Sequence, residues 1–303
     1  MSQLISVLMN CYNGEKYLRE AIDSVYSQSY SNWEIIFIDN CSSDNSAKIA
    51  KSYDDKLKYY KTPKNVSLGE GRRFAIEFCS KYIATLDTDD IWEPHALESL
   101  YNGIKSGDFA LCYGNQISIN QYGEIINKLK SIHTGSSGDF LGKLLTQFDI
   151  PMVATIIDKD KMLSSNLNFN EKIFGSVEYS LFLPLSIDHD FISIDSYIVK
   201  YRYHNSLSTK LDNLRHKERR LILDEMLARS PEIKQKVPKE LREAYARSDY
   251  YESQLLMKKG NKLKSFLILI KNSGVNYKYL FLAIISIFPS VLWRKFQKYK
   301  YNN

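Results

Sequence analysis

The chemistry of this chain concentrates in Tyr82-Ile83-Ala84-Thr85-Leu86-Asp87-Thr88-Asp89-Asp90-Ile91-Trp92, a short apolar and β-branched run that enters three carboxylates. A strand end is a rigid place to hold acids, and hard divalent cations take oxygen ligands. Mg²⁺ in particular is held by one or two carboxylates together with the phosphates of a substrate. Asp is also a common turn former, so the acid run alone is equally a solvated turn. What decides is what the other elements bring to it.

Those elements alternate. Leu4 to Met9 is an apolar run of the kind buried in a parallel sheet, and it ends in the turn chemistry of Asn10-Cys11-Tyr12-Asn13-Gly14. Tyr17, Leu18, Ala21, Ile22 and Val25 recur at helical spacing, predicting an amphipathic helix to about Ser29. Trp33 to Ile38 is a second buried strand, stopped by Asp39 to Asp44. A helix over Ser46 to Tyr53, a strand over Leu57 to Tyr60 and a helix from about Gly71 to Ser80 lead into the acid run. The alternation predicts an α/β fold with a mostly parallel central sheet flanked by helices. In such sheets ligands sit beyond the carboxyl ends of the strands, where Tyr12, Asp39 and Asp87 to Asp90 all fall. A dehydrogenase fingerprint needs a glycine-rich turn after the first strand, and Asn10 to Tyr17 offers only Gly14. The Walker lysine loop is absent too.

Ile5-Ser6-Val7 through Tyr12-Asn13, Tyr17-Leu18, Ser24-Val25, Gln28, Trp33 to Ile36, Asp39 and Ser42 to Asp44 together resemble the opening of the family 2 glycosyltransferases, inverting enzymes of the GT-A fold. The similarity continues through Asn65, Gly69, Arg72, Tyr82 to Ala84, Leu86 to Asp90, Trp92 and Pro94. The resemblance implies that Asp39 accepts from a uracil ring or its ribose and that the Tyr12 region borders the base. It implies that Asp87 meets the ribose or donor sugar, and that Asp89 holds Mg²⁺ or Mn²⁺ against a diphosphate. Such an ion and a nearby guanidinium stabilise a leaving nucleoside diphosphate. Arg72 aligns with the family's arginine, and Arg73 stands where an Asn is usual, so either could meet phosphate oxygens. Asn10-Cys11 replace a usual Pro-Thr, and Asn40-Cys41 a usual Asp-Gly.

The second half matches more sparsely. Phe109 to Tyr113 reads as a strand, followed by Ile117 to Ile119, a turn at Gln121 to Glu124, a flexible loop at Gly135 to Gly138, a helix over Phe140 to Phe148 and a strand over Val153 to Ile157. Val177-Glu178-Tyr179-Ser180-Leu181-Phe182-Leu183-Pro184-Leu185 resembles the family's segment carrying the general base, and Glu178 takes the place of its second acid. An inverting transfer needs one carboxylate to accept the proton of the attacking hydroxyl. The same residue would also suit a helix N-terminus. Asp188-His189-Asp190 reads as a turn, because neighbours on a strand face opposite ways and cannot share an ion. Tyr201 to Ser208 resembles the family's strand and loop near the diphosphate, which makes His204 a candidate for phosphate or metal.

The chain has 303 residues, 44% hydrophobic and 25% charged, ordinary for a globular protein. Its net charge of +6 is unevenly placed: Ser253 to Asn303 holds ten Lys/Arg and no acid, leaving 31 basic and 35 acidic residues elsewhere. The body is therefore not a nucleic-acid surface. Cys11, Cys41, Cys79 and Cys112 show no metal-ligand spacing, and with no signal peptide expected they read as reduced, small apolar residues. Tyr279 to Trp293 is mostly apolar but shorter than the roughly 20 residues that span a bilayer. Lys278 precedes it and Arg294, Lys295, Lys298 and Lys300 follow, the pattern of an in-plane anchor on anionic lipid. These readings divide the chain into a nucleotide-sugar half (1–105), an acceptor half (106–210) and a basic helical tail (211–303). They describe a transferase on the cytoplasmic face of the plasma (inner) membrane, taking a UDP-sugar donor and a lipid-linked saccharide acceptor in surface-polysaccharide assembly. A polyprenyl-phosphate sugar transferase, or a nucleotide-sugar binder without turnover, would share the first half.

Overall fold

Continuous apolar runs set the centre of the sheet. In the computed structural model, which describes residues 2–131, 140–204 and 213–287, β1 (Ile5–Cys11) and β2 (Trp33–Asp39) are buried along nearly their whole length. That is what a strand covered on both faces requires. β1 lies between β2 and β4 (Tyr82–Thr85), parallel to both, and β3 (Leu57–Lys61) extends the parallel set beyond β2. The helices α1 (Glu15–Tyr26), α2 (Ser46–Ala50) and α3 (Leu68–Ala75) connect these strands. α1 buries Leu18, Ala21, Ile22 and Val25, the positions its sequence spacing picked out.

Beyond β4 the sheet becomes mixed. β5 (Ile91–Trp92), α4 (Ala96–Lys105), β6 (Leu111–Asn120), β7 (Ile125–Leu129), α5 (Phe140–Thr146), β8 (Thr155–Asp158), α6 (Lys159–Ser164), α7 (Val177–Asp188) and β9 (Phe191–Tyr203) follow in the chain. β8 runs antiparallel between β4 and β6, β6 is parallel to β9, and β5 closes antiparallel on β9. The sheet order is β3-β2-β1-β4-β8-β6-β9-β5, with β7 paired to β6. Trp92 anchors the junction by donating its indole N–H to the Val153 carbonyl at 2.7 Å.

The chain divides into two compact units, one of residues Met1–Leu141 and Phe148–Ser206, the other of Gly142–Gln147 and Leu207–Asn303. The second holds α8 (Arg215–Arg229), α9 (Ile233–Lys236), α10 (Pro238–Lys258), α11 (Lys262–Lys271) and α12 (Tyr277–Ile287). Its core joins Ala246, Tyr250 and Met257 of α10 to Leu269 of α11 and Tyr279, Leu282 and Ala283 of α12. No helix among the described residues is long and apolar enough to cross a membrane. The Gly135 to Gly138 loop, Asn205 to Ser208 and the basic residues from Arg294 onward lie outside the described residues. All four cysteines are free.

Several boundaries differ from the sequence reading, each for a local reason. The strand expected at Phe109 to Tyr113 starts at Leu111 and runs unbroken to Asn120, through a polar Gly114-Asn115-Gln116 stretch that reads as a break. Asn115 is buried there because its amide donates to Asp195 at 2.9 Å and its carbonyl accepts from the Ser131 N–H at 3.0 Å. A buried polar side chain with its partners costs little. α3 starts earlier than Gly71, because Ser67 caps it by accepting from the Glu70 N–H at 3.0 Å. The Ser67…Glu70 spacing has the form of a capping box. Its end tightens into a 3₁₀ turn over Ile76–Phe78.

α3 is seated by a backbone contact. A Cβ on Gly69 would fall 1.9 Å from the Asn170 carbonyl oxygen, which cannot swing aside as a side chain does. Gly69→Ala should therefore cost about 1–3 kcal/mol, seen as a drop in Tm of roughly 2–4 °C per kcal/mol. An unchanged melting curve would show that this contact does not hold the helix.

Candidate active site

The acid turn is built between two strands and closed from below by a glycine. Leu86 donates its N–H to the Leu8 carbonyl at 3.1 Å, continuing the β1–β4 pairing, and Asp87 to Asp90 then form a tight turn. Thr88 faces Gly14 at the start of α1, where a Cβ would stand 2.9 Å from the Thr88 hydroxyl. Only glycine allows that approach without a shift.

Each carboxylate has its own environment. Asp87, about a third exposed, accepts at 2.6 Å from the Nη2 of Arg72, whose side chain is almost fully buried. The Arg72 Nε is buried without a partner. Arg73, one residue on, is exposed; helix phase separates the two candidates, and only Arg72 reaches the turn. Asp89 pairs with His204, Nε2 to Oδ2 at 2.7 Å, just past the end of β9. Burial, and then the charge of Asp87, push the Asp89 carboxyl above its ordinary range, while His204 opposes them. Asp90 is 1% exposed. Burial first, and then the charges of Asp89 and Asp87, raise its carboxyl well above the usual range.

Arg202, nearly buried, ties this group together. Its backbone N–H donates to Asp90 Oδ1 at 2.7 Å, its Nε to the Asp89 carbonyl at 2.9 Å, and its Nη2 to Glu20 of α1 at 2.6 Å. The guanidinium lies over the Tyr17 ring at 4.4 Å, and that ring sits 5.1 Å from the His204 ring. Arg202 and Tyr17 lie within the segments that carry the resemblance, yet the sequence alone assigns them no role. Arg202 stands two residues before His204, but its partners are 112, 113 and 182 residues away in the chain.

The neighbouring strand end carries the remaining candidates. Asp39 is fully buried, accepting from the Tyr59 hydroxyl at 2.5 Å and the Ser42 N–H at 2.8 Å. Tyr12 is 44% exposed beside it at the end of β1. Asn40 staples the next loop: its amide donates to the Val66 carbonyl at 2.9 Å and its oxygen accepts from the Val66 N–H at 2.9 Å. An aspartate could not make the first of these bonds. Cys41 holds φ at 60° where the family's usual glycine would be unstrained. Glu178 is half-buried in the first turn of α7. Asp188 ends α7, and His189 meets the Ser165 hydroxyl at 2.9 Å.

No group of three His, Cys, Asp or Glu among the described residues forms a metal cage. What stands at the acid turn is two side chains of ligand chemistry, Asp89 and His204, beside the carboxylates of Asp87 and Asp90. That donor set fits a cation that takes most of its ligands from phosphate and water.

Comparison with known proteins bears on the family and the fold. The profile described as Glycosyl transferase family 2 matches residues 6–159, just over half of the chain. A relative in Escherichia coli, UDP-Glc:alpha-D-GlcNAc-diphosphoundecaprenol beta-1,3-glucosyltransferase WfgD, is 27% identical over 69% of this chain and 80% of its own. The crystal structure of S. aureus TarS 1-349 in complex with UDP-GlcNAc superposes with a TM-score of 0.65 at 17% identity, over 91% of this chain and 83% of that one. The mannosyltransferase PcManGT from Pyrobaculum calidifontis, in complex with GDP-Man and Mn²⁺, gives 0.62 at 11% identity, over 98% and 85%.

The raised Asp90 carboxyl has a thermodynamic signature. A folded pKa above the unfolded value of about 3.9 means that its contribution to stability is complete below that pH and is lost as pH rises through the folded pKa. Asp90→Asn removes the titration, so the Tm of the variant should gain on that of wild type as pH rises above about 4. A gap that stays constant across that range would mean that Asp90 is ionised when folded.

Proposed function

Because the chain belongs to glycosyl transferase family 2 and has the GT-A fold, we propose that it is an inverting hexosyltransferase that moves a sugar from UDP to a hydroxyl of a lipid-linked saccharide. The observation that carries this reading is the convergence of Arg72, Asp87, Asp89 and His204 on one turn at the carboxyl ends of the strands. Breaking a sugar–phosphate bond leaves concentrated negative charge on the departing diphosphate. Arg72 supplies a planar guanidinium beside it, with its Nε still unpartnered. Asp89 and His204 would hold Mg²⁺ or Mn²⁺, which supplies charge neutralisation when bound. Asp87 orients Arg72 and meets the ribose or donor sugar.

Residues 1–105 form the donor half in this reading. Tyr12 borders the base, and Asp39 orders the turn beneath it through Tyr59 and Ser42. Each Asp39 oxygen accepts one of these bonds and keeps a lone pair that a uracil N–H could use. Residues 106–210 form the acceptor half, where Glu178 takes the proton of the attacking hydroxyl as it displaces UDP with inversion. The lipid-linked acceptor is supported by the WfgD relative, whose own substrate is a diphosphoundecaprenol saccharide, and by the basic tail (211–303), which suits peripheral attachment to the cytoplasmic face of the membrane.

UDP release should be measured across a panel of UDP-sugars with Mn²⁺ and a lipid-linked acceptor. One donor should turn over, and Asp89→Ala should abolish that turnover. Glu178→Gln should lose roughly 10²–10⁴-fold in transfer while UDP binding, followed by calorimetry, is retained. Unchanged transfer by Glu178→Gln would remove the base from this reading and favour a phosphate nucleophile. A chain that binds no nucleotide would overturn the donor site.

A further inference from the structure

Among the described residues, the helical unit carries a surface that its core does not use. α12 is apolar on both sides. Tyr279, Leu282 and Ala283 are buried in the core with α10 and α11, while Tyr277, Leu280, Ile284 and Ile287, 43–85% exposed, line the opposite face. On α11, Leu263 and Leu267 are 70% and 54% exposed at i, i+4 spacing. A helix pair needs only one apolar face to pack in a globular unit. The second face is a contiguous apolar surface, the kind that marks an interaction site.

The charge carried by α11 and α12 themselves is of one sign. Lys258, Lys259, Lys262, Lys264, Lys271 and Lys278 surround the pair, and no Asp or Glu occurs from Ser253 onward. Beside the start of α12 lies a cleft of about 510 Å³ lined by Lys239, Glu240, Glu243, Arg247, Val275 and Lys278, among others. Glu243 is already neutralised, bonded to Lys278 and to the Tyr279 hydroxyl. Arg247 and Lys239 make no hydrogen bond or ion pair among the described residues. Uncommitted cations in a cleft beside an apolar ridge match an amphiphile with an anionic head.

The geometry points to the α11–α12 face as the membrane-docking surface of this protein, lying in the plane of an anionic bilayer with a phospholipid phosphate in the Arg247 cleft. This rests on the membrane reading above, which places the anchor at Tyr279 to Trp293, and deepens it by adding the exposed residues of α11 and a cationic cleft to that segment. The eleven described residues of α12 extend about 16 Å, enough to lie along the interface. Apolar side chains enter the headgroup boundary while lysines meet lipid phosphates.

Co-sedimentation should be measured with vesicles of phosphatidylcholine alone and mixed with phosphatidylglycerol. Wild type should bind the anionic vesicles. The paired substitution Leu280→Glu and Ile284→Glu, at exposed positions, should weaken binding roughly tenfold or more, with melting temperature and UDP binding unchanged. Arg247→Gln should lower the preference for phosphatidylglycerol several-fold, and inorganic phosphate should not release the protein. Binding by the paired variant equal to wild type, but lost on removing residues 288–303, would overturn this surface and leave the membrane reading standing. Wild type remaining in the supernatant would overturn both, and phosphate binding without vesicle binding would assign the cleft to a free anion. Concentration-dependent dimerisation that the paired substitution abolishes would assign the face to a second copy and overturn the proposal.

Discussion

Arg202 is the interaction on which the site depends. One residue near the end of β9 holds the acid turn by a backbone N–H and a side-chain N–H, and holds α1 through Glu20. A turn carrying three carboxylates in four residues is self-repelling, and at short range in a partly buried place that repulsion is large. A fixed guanidinium beneath it, stacked on Tyr17, offsets part of that charge and sets the direction of the turn. The order of the sheet follows from the same requirement. β9 must lie beside β5 for Arg202 and His204 to reach residues that precede them by more than a hundred positions.

The parallel half of the fold was legible because its strands are continuous apolar runs and its helices keep a 3.6-residue period. The acid turn was legible as chemistry only through the strands before it, since the run alone reads equally as a solvated turn. The mixed half was not, and Asn115 shows why: its burial depends on Asp195 and Ser131, and no local pattern announces such partners. β7 was missed for the opposite reason, since all five of its residues are exposed and no buried face gives it a period. The choice between Arg72 and Arg73 turned on helix phase, which Ser67 sets by starting α3 earlier than its apolar spacing suggested. His204 entered only through resemblance. Its pairing with Asp89 is a long-range fact of topology.

The departures from the family pattern follow a similar logic. Asn40 is a donor as well as an acceptor and spends both functions on the loop after β3. Cys41 accepts a left-handed backbone that glycine would take freely, and its thiol gains a contact with the Thr62 carbonyl at 3.2 Å. These substitutions keep the turn beyond β2 in place by side-chain bonding where glycine would keep it by backbone freedom.

The pairing of the acid turn shapes how it meets an arriving anion. By formula the turn presents three negative charges. Asp87 is matched by Arg72 and Asp89 has an imidazole beside it, while burial first and then neighbouring charge push the Asp90 carboxyl well above its usual range. A nucleotide carrying two phosphates thus meets a turn whose negative charge is partly offset by the protein itself.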